Sequence, residues 1–250
     1  MDLKEVTAGL PETRQIYLED PYRRVNSCTI LRAVKEGGKS YYVVIDGTIF
    51  HPKSGGQPSD VGWVKGDGFL LEVKKVFRVG VSIVLWGRCE GVPAQVQVEE
   101  RIDWDRRYLY MRRHAAAHLF DAALDYVTGT LCDPKDSWLG DNPYVGYRGF
   151  PPTDEQMSKV SEFIRECIAK NYQVTSRIVS RNEIEESRSL WSSVIESLER
   201  VRLVQINGFR PIPCGGTHVH SLGEIKGVNL LGIEKVPEGF NVRFDVQKME

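Results

Sequence analysis

The sequence predicts an α+β protein in two parts: a small antiparallel β-barrel over residues 1–100, then an α+β region over residues 101–250. Three observations predict it. Short stretches rich in Val, Ile, Leu and aromatics recur between Ser27 and Val98, separated by turn signals. The texture changes near Arg101, where apolar residues begin to fall in steps of three and four. Beyond that point, helical and strand-like stretches are interspersed.

In the first part, CTILRAVK, SYYVVID, FLLEVKKVFRV, VSIVLWG and AQVQVE read as strands. Gly37-Gly38, Gly66-Asp67-Gly68 and Gly91 with Pro93 supply the turns. Several strands at this spacing suggest closure into a barrel. In the second part, Tyr108, Met111, Ala115, Leu119, Ala122 and Tyr126 make the apolar stripe of a long amphipathic helix. Asp103 or Asp105 can cap its start, and Gly129 ends it. Thr153 with Gln156 forms a capping box ahead of a second helix, MSKVSEFIRECIAKN. A third helical stretch is predicted near NEIEESRSLWSSVIES, and strands at RLVQI, GVNLLGIEKV and FNVRFDVQK.

Composition removes several classes of function. Hydrophobic residues make up 41% and charged residues 27%, the profile of a globular protein with a sizeable core. A net charge of −1 excludes a uniformly basic nucleic-acid coat but leaves room for a local patch. No apolar run approaches the ~18 residues of a membrane span, and the polar N-terminal stretch reads as neither signal nor transit peptide. The expected location is the cytoplasm, without membrane association. Cys28, Cys89, Cys132, Cys167 and Cys214 are odd in number and scattered, which fits reduced thiols, some of them ligands, better than a disulfide framework.

Two segments carry the pattern of a metal site. In RRHAAAHLF, His114 and His118 stand four residues apart within alanines, so a helix stacks both imidazoles on one face. In RPIPCGGTHVHS, Cys214 and His218 flank Gly215-Gly216-Thr217, a loop that can fold tightly. Three imidazoles and one thiolate make a tetrahedral donor set suited to one Zn2+ per chain. His220 is read as a bystander. Spacing alone leaves a structural and a catalytic zinc equally open. An HExxH protease is disfavoured, because Ala115 stands where that motif places its glutamate base. A third segment, DGTIFHPKSGGQPSD, holds Gly55-Gly56. It reads as a plain hairpin turn, or as backbone that a ligand can approach closely, with amides able to hold a phosphate or ester oxygen.

Together, T-x-F with GGQ-x-x-D, HxxxH on a helix and CGGTH in a later loop resemble the editing domain of alanyl-tRNA synthetase. More closely, they resemble the freestanding alanyl-tRNA editing proteins of AlaX type, across about Asn26 to Asp245. The cousin domain of threonyl-tRNA synthetase carries C-R-G-P-H in place of CGGTH. A chain of 250 residues favours the freestanding form, and the barrel favours the medium-length type. The resemblance implies zinc-dependent hydrolysis of mischarged aminoacyl-tRNA in trans, chiefly seryl-tRNA(Ala), with glycyl-tRNA(Ala) as a second substrate. It implies that His114, His118, Cys214 and His218 hold the zinc. It also implies that Gly55, Gly56, Gln57 and Asp60 form a glycine-rich loop beside the acceptor end. The sequence departs from the synthetase pattern at Ala117, where Thr is common, at Pro134-Lys135-Asp136-Ser137, where Q-K-G-S is common, and at His51, where Tyr is common.

The chemistry is consistent with that assignment. Serine differs from alanine by one hydroxyl, which a small apolar pocket rejects poorly, so a second site must hydrogen-bond it. Thr217, Thr48 and Gln57 are the candidate hydroxyl partners. Zinc can activate water, polarise the ester or anchor the amino group, and glycine-loop amides can stabilise an oxyanion. Cys214 reads as a ligand and not as a nucleophile. For tRNA phosphates, Arg106, Arg107, Arg112 and Arg113 cluster before the histidines, with Arg101 close by and Lys74, Lys75 and Arg78 as a second group. A solvated helix face paired with Asp103 and Asp105 is the competing reading of the arginines.

Overall fold

The computed structural model describes residues 2–94, 96–180 and 199–248. The third predicted helix, near residues 182–197, lies outside them. The chain divides into two compact units, one of residues 1–54 with 58–108 and one of residues 55–57 with 109–250.

The first unit is a closed antiparallel barrel. Its strands are β1 (Val25–Gly37), β2 (Ser40–Ile45), β3 (Gly62–Gly66), β4 (Phe69–Val79), β5 (Ser82–Glu90) and β6 (Gln97–Ile102), in the order β1-β2-β5-β4-β3-β6. Alternation decides which side chains enter. In β4, Phe69, Leu71 and Val73 are buried while Leu70, Glu72 and Lys74 face out. The alternation then breaks at the register shift between Val73 and Lys75, after which Val76 takes the inward place. Val43, Ile45, Val64, Leu71 and Leu85 are fully buried in this core. The five predicted strands are all present. β3 was not foreseen, because its three central residues between Gly62 and Gly66 are too few to display a period.

The second unit is α+β. Helix α1 (Trp104–Thr128), of which residues 109–128 belong to this unit, begins at Asp103, whose carboxylate accepts from Arg106 N at 3.1 Å, and ends at Gly129 in a left-handed conformation with φ +70°. From Tyr110 to Leu124 it is buried on every side except at His118. That is more than a stripe, and the alanines and interior partners for its polar residues make it possible. Strands β7 (Pro134–Trp138) and β8 (Tyr144–Arg148) follow, then α2 (Asp154–Ala169) with the foreseen Thr153–Gln156 capping box. Next come β9 (Val174–Ser180), β10 (Arg200–Ile206), β11 (Ile212–Pro213), β12 (Val228–Val236) and β13 (Gly239–Val246). They form a four-stranded antiparallel sheet, β12-β13-β8-β7, and a three-stranded one, β9-β10-β11. Strand β7 has poor β propensity and opens on proline, tolerable at the first residue of an edge strand.

Candidate metal centre

Two elements build the centre. Helix α1 presents His114 and His118 one turn apart, their rings stacked with centroids 5.2 Å apart. The loop after β11 presents Cys214 and His218, and the His218 ring lies 4.3 Å from that of His114 and 5.0 Å from that of His118. One donor atom from each of the four residues lies within 4.8 Å of all the others. Cys214 Sγ is 3.3 Å from His114 Nε2 and 3.6 Å from His218 Nε2. His220 is exposed and outside this group, as its wider spacing suggested.

The loop is held from beneath and from the side. Arg202, on β10, donates to the carbonyls of Cys214 (2.9 Å) and Gly216 (3.1 Å), while Cys214 N donates back to Arg202 O at 3.0 Å. Gly216 N points at Cys214 Sγ at 3.4 Å. The two glycines of the loop differ. A Cβ on Gly216 would lie 2.1 Å from His114 Cε1, whereas one on Gly215 would meet nothing within 4 Å. Gly216 is there because the imidazole needs its space.

Gln57 selects the tautomer of His114. Its Oε1 accepts from the backbone N–H of Thr217 at 3.1 Å, which identifies that atom as the oxygen. The same oxygen lies 3.0 Å from His114 Nδ1, so Nδ1 carries the ring proton and Nε2 keeps its lone pair toward the centre. Gln57 Nε2 donates to Thr217 Oγ1 at 2.9 Å. Gln57 and Thr217 are fully buried. Both glycine-loop glycines have positive φ, and β7 runs beside them: Leu139 N donates to Gly56 O at 3.0 Å, and a Cβ on Gly56 would strike Ser137.

The electrostatics give a cation a thiolate and a neutral imidazole, and one imidazole that must shed a proton to bind it. Burial alone would raise the Cys214 thiol, but His114 and His218 outweigh it and hold the thiol well below its ordinary range. Burial would also lower His118, yet Asp121 and Cys214 raise it to about 9. Burial, then His114, brings His218 down to about 3. Among the described residues, both nitrogens of His118 and Nδ1 of His218 are buried without a hydrogen-bond partner. Orphaned buried nitrogens are costly. A metal ion drawing on the His118 lone pair removes part of that cost, and a donor set of three nitrogens and one sulfur fits such an ion.

Residues 201–240 match the family described as the threonyl and alanyl tRNA synthetase second additional domain, and residues 24–106 match tRNA synthetases class II (A). The alanyl-tRNA editing protein AlaX-M of Methanosarcina mazei is 32% identical over 230 residues, covering 87% of this chain and 90% of that protein. The chain belongs to the AlaX-M family. The alanine–tRNA ligases of Pyrobaculum arsenaticum and Hyperthermus butylicus are 34% and 30% identical over 94% and 98% of this chain. The chain spans 27% and 26% of the length of those two ligases.

Other residues singled out in the sequence are placed elsewhere. Arg107, Arg112 and Arg113, expected to meet phosphates, are buried. In the first unit Arg107 grips Asp60 and donates to the carbonyls of Ile49 and Pro21. In the second, Arg112 donates to the carbonyls of Glu224, Ile225 and Gln247. Arg113 pairs with Asp245 at 2.8 Å and donates to Leu139 O and Gly140 O. Guanidiniums committed to interior acceptors are unavailable to a polyanion. Arg106 is half-buried. Lys74 pairs with Glu72, Lys75 lies over the Trp86 ring and Arg78 donates to Tyr17 at 3.0 Å. Asp60 also accepts from His51 N, and Thr48 donates to Glu100 at 2.8 Å, so both serve the barrel interior. Sequence reasoning missed Asp121, whose signal was available: it stands three residues after His118, on the same helix face. Nothing in the sequence points to Arg202.

Proposed function

We propose that this chain is an editing hydrolase for mischarged tRNA(Ala), cleaving the ester of seryl-tRNA(Ala), and of glycyl-tRNA(Ala), in trans. Its cofactor is one zinc ion held by His114, His118, Cys214 and His218, and its place of work is the cytoplasm, where charged tRNA is used. The observation that carries this reading is the convergence of those four side chains within 4.8 Å in a chain of the AlaX-M family. Zinc bound there supplies Lewis acidity toward the ester carbonyl or the substrate's amino group.

The remaining work falls to the chain. Gln57 and Thr217 keep the His114 ring in the tautomer whose Nε2 faces the centre. Arg202 and Gly216 fix the loop that carries Cys214 and His218. Exposed Gly55, whose missing Cβ would sit 3.8 Å from His114 Cε1, leaves room beside the centre for a bulky acceptor end. Thr217 Oγ1 is fully buried and already bonded to Gln57, so it serves as a support in this reading and not as the serine hydroxyl's partner.

The test is release of amino acid from charged tRNA. Zinc-loaded protein frees serine from seryl-tRNA(Ala) and leaves alanyl-tRNA(Ala) intact, and His114→Ala abolishes turnover. Equal turnover by that variant rejects the site. A full set of four protein ligands also suits a purely structural zinc in an RNA-binding protein. That second reading takes over if loaded protein releases nothing while zinc removal unfolds it. Zinc at about 100 times its Kd adds about 2.7 kcal/mol of stability under either reading.

A further inference from the structure

His114 and His118 are supported unequally. Behind His114 stands a neutral amide. Behind His118 stands a carboxylate, with Asp121 Oδ2 3.6 Å from His118 Nδ1. Asp121 is 4% exposed, and its other oxygen accepts from the Tyr147 hydroxyl at 2.8 Å. Tyr147 lies on β8, 1% exposed, its ring stacked on that of Phe240. Burial, then Asp121, pushes the Tyr147 hydroxyl well above its ordinary pKa, so it stays a donor. The tyrosine thus satisfies one carboxylate oxygen and leaves the other facing the imidazole.

A neutral imidazole carries one ring proton. A carboxylate on the Nδ1 side draws that proton to Nδ1 and frees the Nε2 lone pair. The negative charge also makes the ring a stronger ligand than an amide would. Neither His118 Nδ1 nor His218 Nδ1 makes a hydrogen bond among the described residues, but only His118 has a carboxylate oxygen facing its Nδ1, that of Asp121.

We propose that Asp121 and Tyr147 are positioning residues: a tyrosine–aspartate–histidine relay that fixes His118 as an Nε2 ligand and strengthens its hold on the metal. This rests on the zinc reading of the four-residue centre. Neither residue touches substrate; both act through His118.

The experiment is zinc competition against a chromophoric chelator at neutral pH, with the melting point of each metal-free variant measured alongside. Wild type binds one zinc. Asp121→Asn turns an amide N–H toward Nδ1 and drives the ring proton onto Nε2, weakening zinc by roughly 10- to 100-fold at a matched metal-free melting point. Tyr147→Phe leaves the carboxylate in place and weakens zinc less than Asp121→Asn does. Nitrogen-15 imidazole spectra of zinc-loaded wild type place the His118 proton on Nδ1 and the metal on Nε2. Asp121→Asn with wild-type zinc affinity overturns the relay, as does His118 coordinating through Nδ1. If Asp121→Asn does not fold, the spectra and Tyr147→Phe decide, and unchanged affinity in the latter removes Tyr147 from the relay. Absence of stoichiometric zinc from wild type is a separate outcome, which overturns the metal reading itself and the relay with it.

Discussion

The chain buries two clusters of polar and ionisable side chains and finishes them differently. In the barrel unit, Glu100 accepts from Ile49 N (2.7 Å) and Asn26 Nδ2 (3.0 Å) on one oxygen and from Thr48 on the other. Asp60 accepts from Arg107 and from His51 N. Both carboxylates are met by groups of the chain. In the second unit, the four residues of the metal centre meet one another, while nitrogens of His118 and His218 go unmet among the described residues. A satisfied buried network rigidifies a fold, and an unsatisfied one is costly unless a ligand completes it.

Breaking the closed cluster is expected to cost the most. Arg107→Ala strands Asp60 and two carbonyls in the interior, a loss of about 3–5 kcal/mol in urea denaturation. A loss under about 1 kcal/mol would mean that the pair is not closed as described. Glu100 sharpens the comparison through pH. Burial raises its pKa from 4.5 to about 7 despite its three donors. The native state therefore holds this proton more tightly than the unfolded chain does. The resulting stabilisation is full below pH 4.5 and is lost as pH rises through about 7. At roughly 1.4 kcal/mol per pKa unit, stability falls by about 3 kcal/mol between pH 5 and 8 on this account. Denaturation midpoints at the two pH values measure the slope, and Glu100→Gln flattens it. The smallest effect belongs to the open cluster. Gly216→Ala is expected to displace His114, weakening zinc and costing about 1–3 kcal/mol by overpacking, whereas Gly215→Ala stays within about 0.5 kcal/mol of wild type. Equal effects of the two substitutions would undo the distinction drawn between them.

The two clusters also differ in how far the sequence foretold them. His114 with His118 and Cys214 with His218 are legible because ligand chemistry restricts residue type and helix geometry restricts spacing. The barrel was legible from the alternation in stretches such as FLLEVKKVFRV. The interior places of Arg107, Arg112 and Arg113 were not legible, because a sequence shows their charge but not their reach. Five donors on a long stem serve phosphates and buried carbonyls equally well. A clue was present: from Ala115 to Leu124 the helix carries one acidic residue and no Lys or Arg, too few polar positions for a solvated face. The partnership of Asp60 with Arg107 spans 47 residues, and no local pattern encodes it.

Gln57 bears on how this protein can be taken apart. It groups in space with residues 109–250 but is encoded more than fifty positions upstream of them. A gene fragment starting at Leu109 would carry all four residues of the candidate metal centre yet omit the amide that faces His114 Nδ1. The four candidate ligands all lie after Leu109 in the chain, but the amide that orients one of them comes from Gln57, ahead of that point. Cutting or transplanting this centre at its sequence boundary would therefore yield a ring free to choose the wrong tautomer.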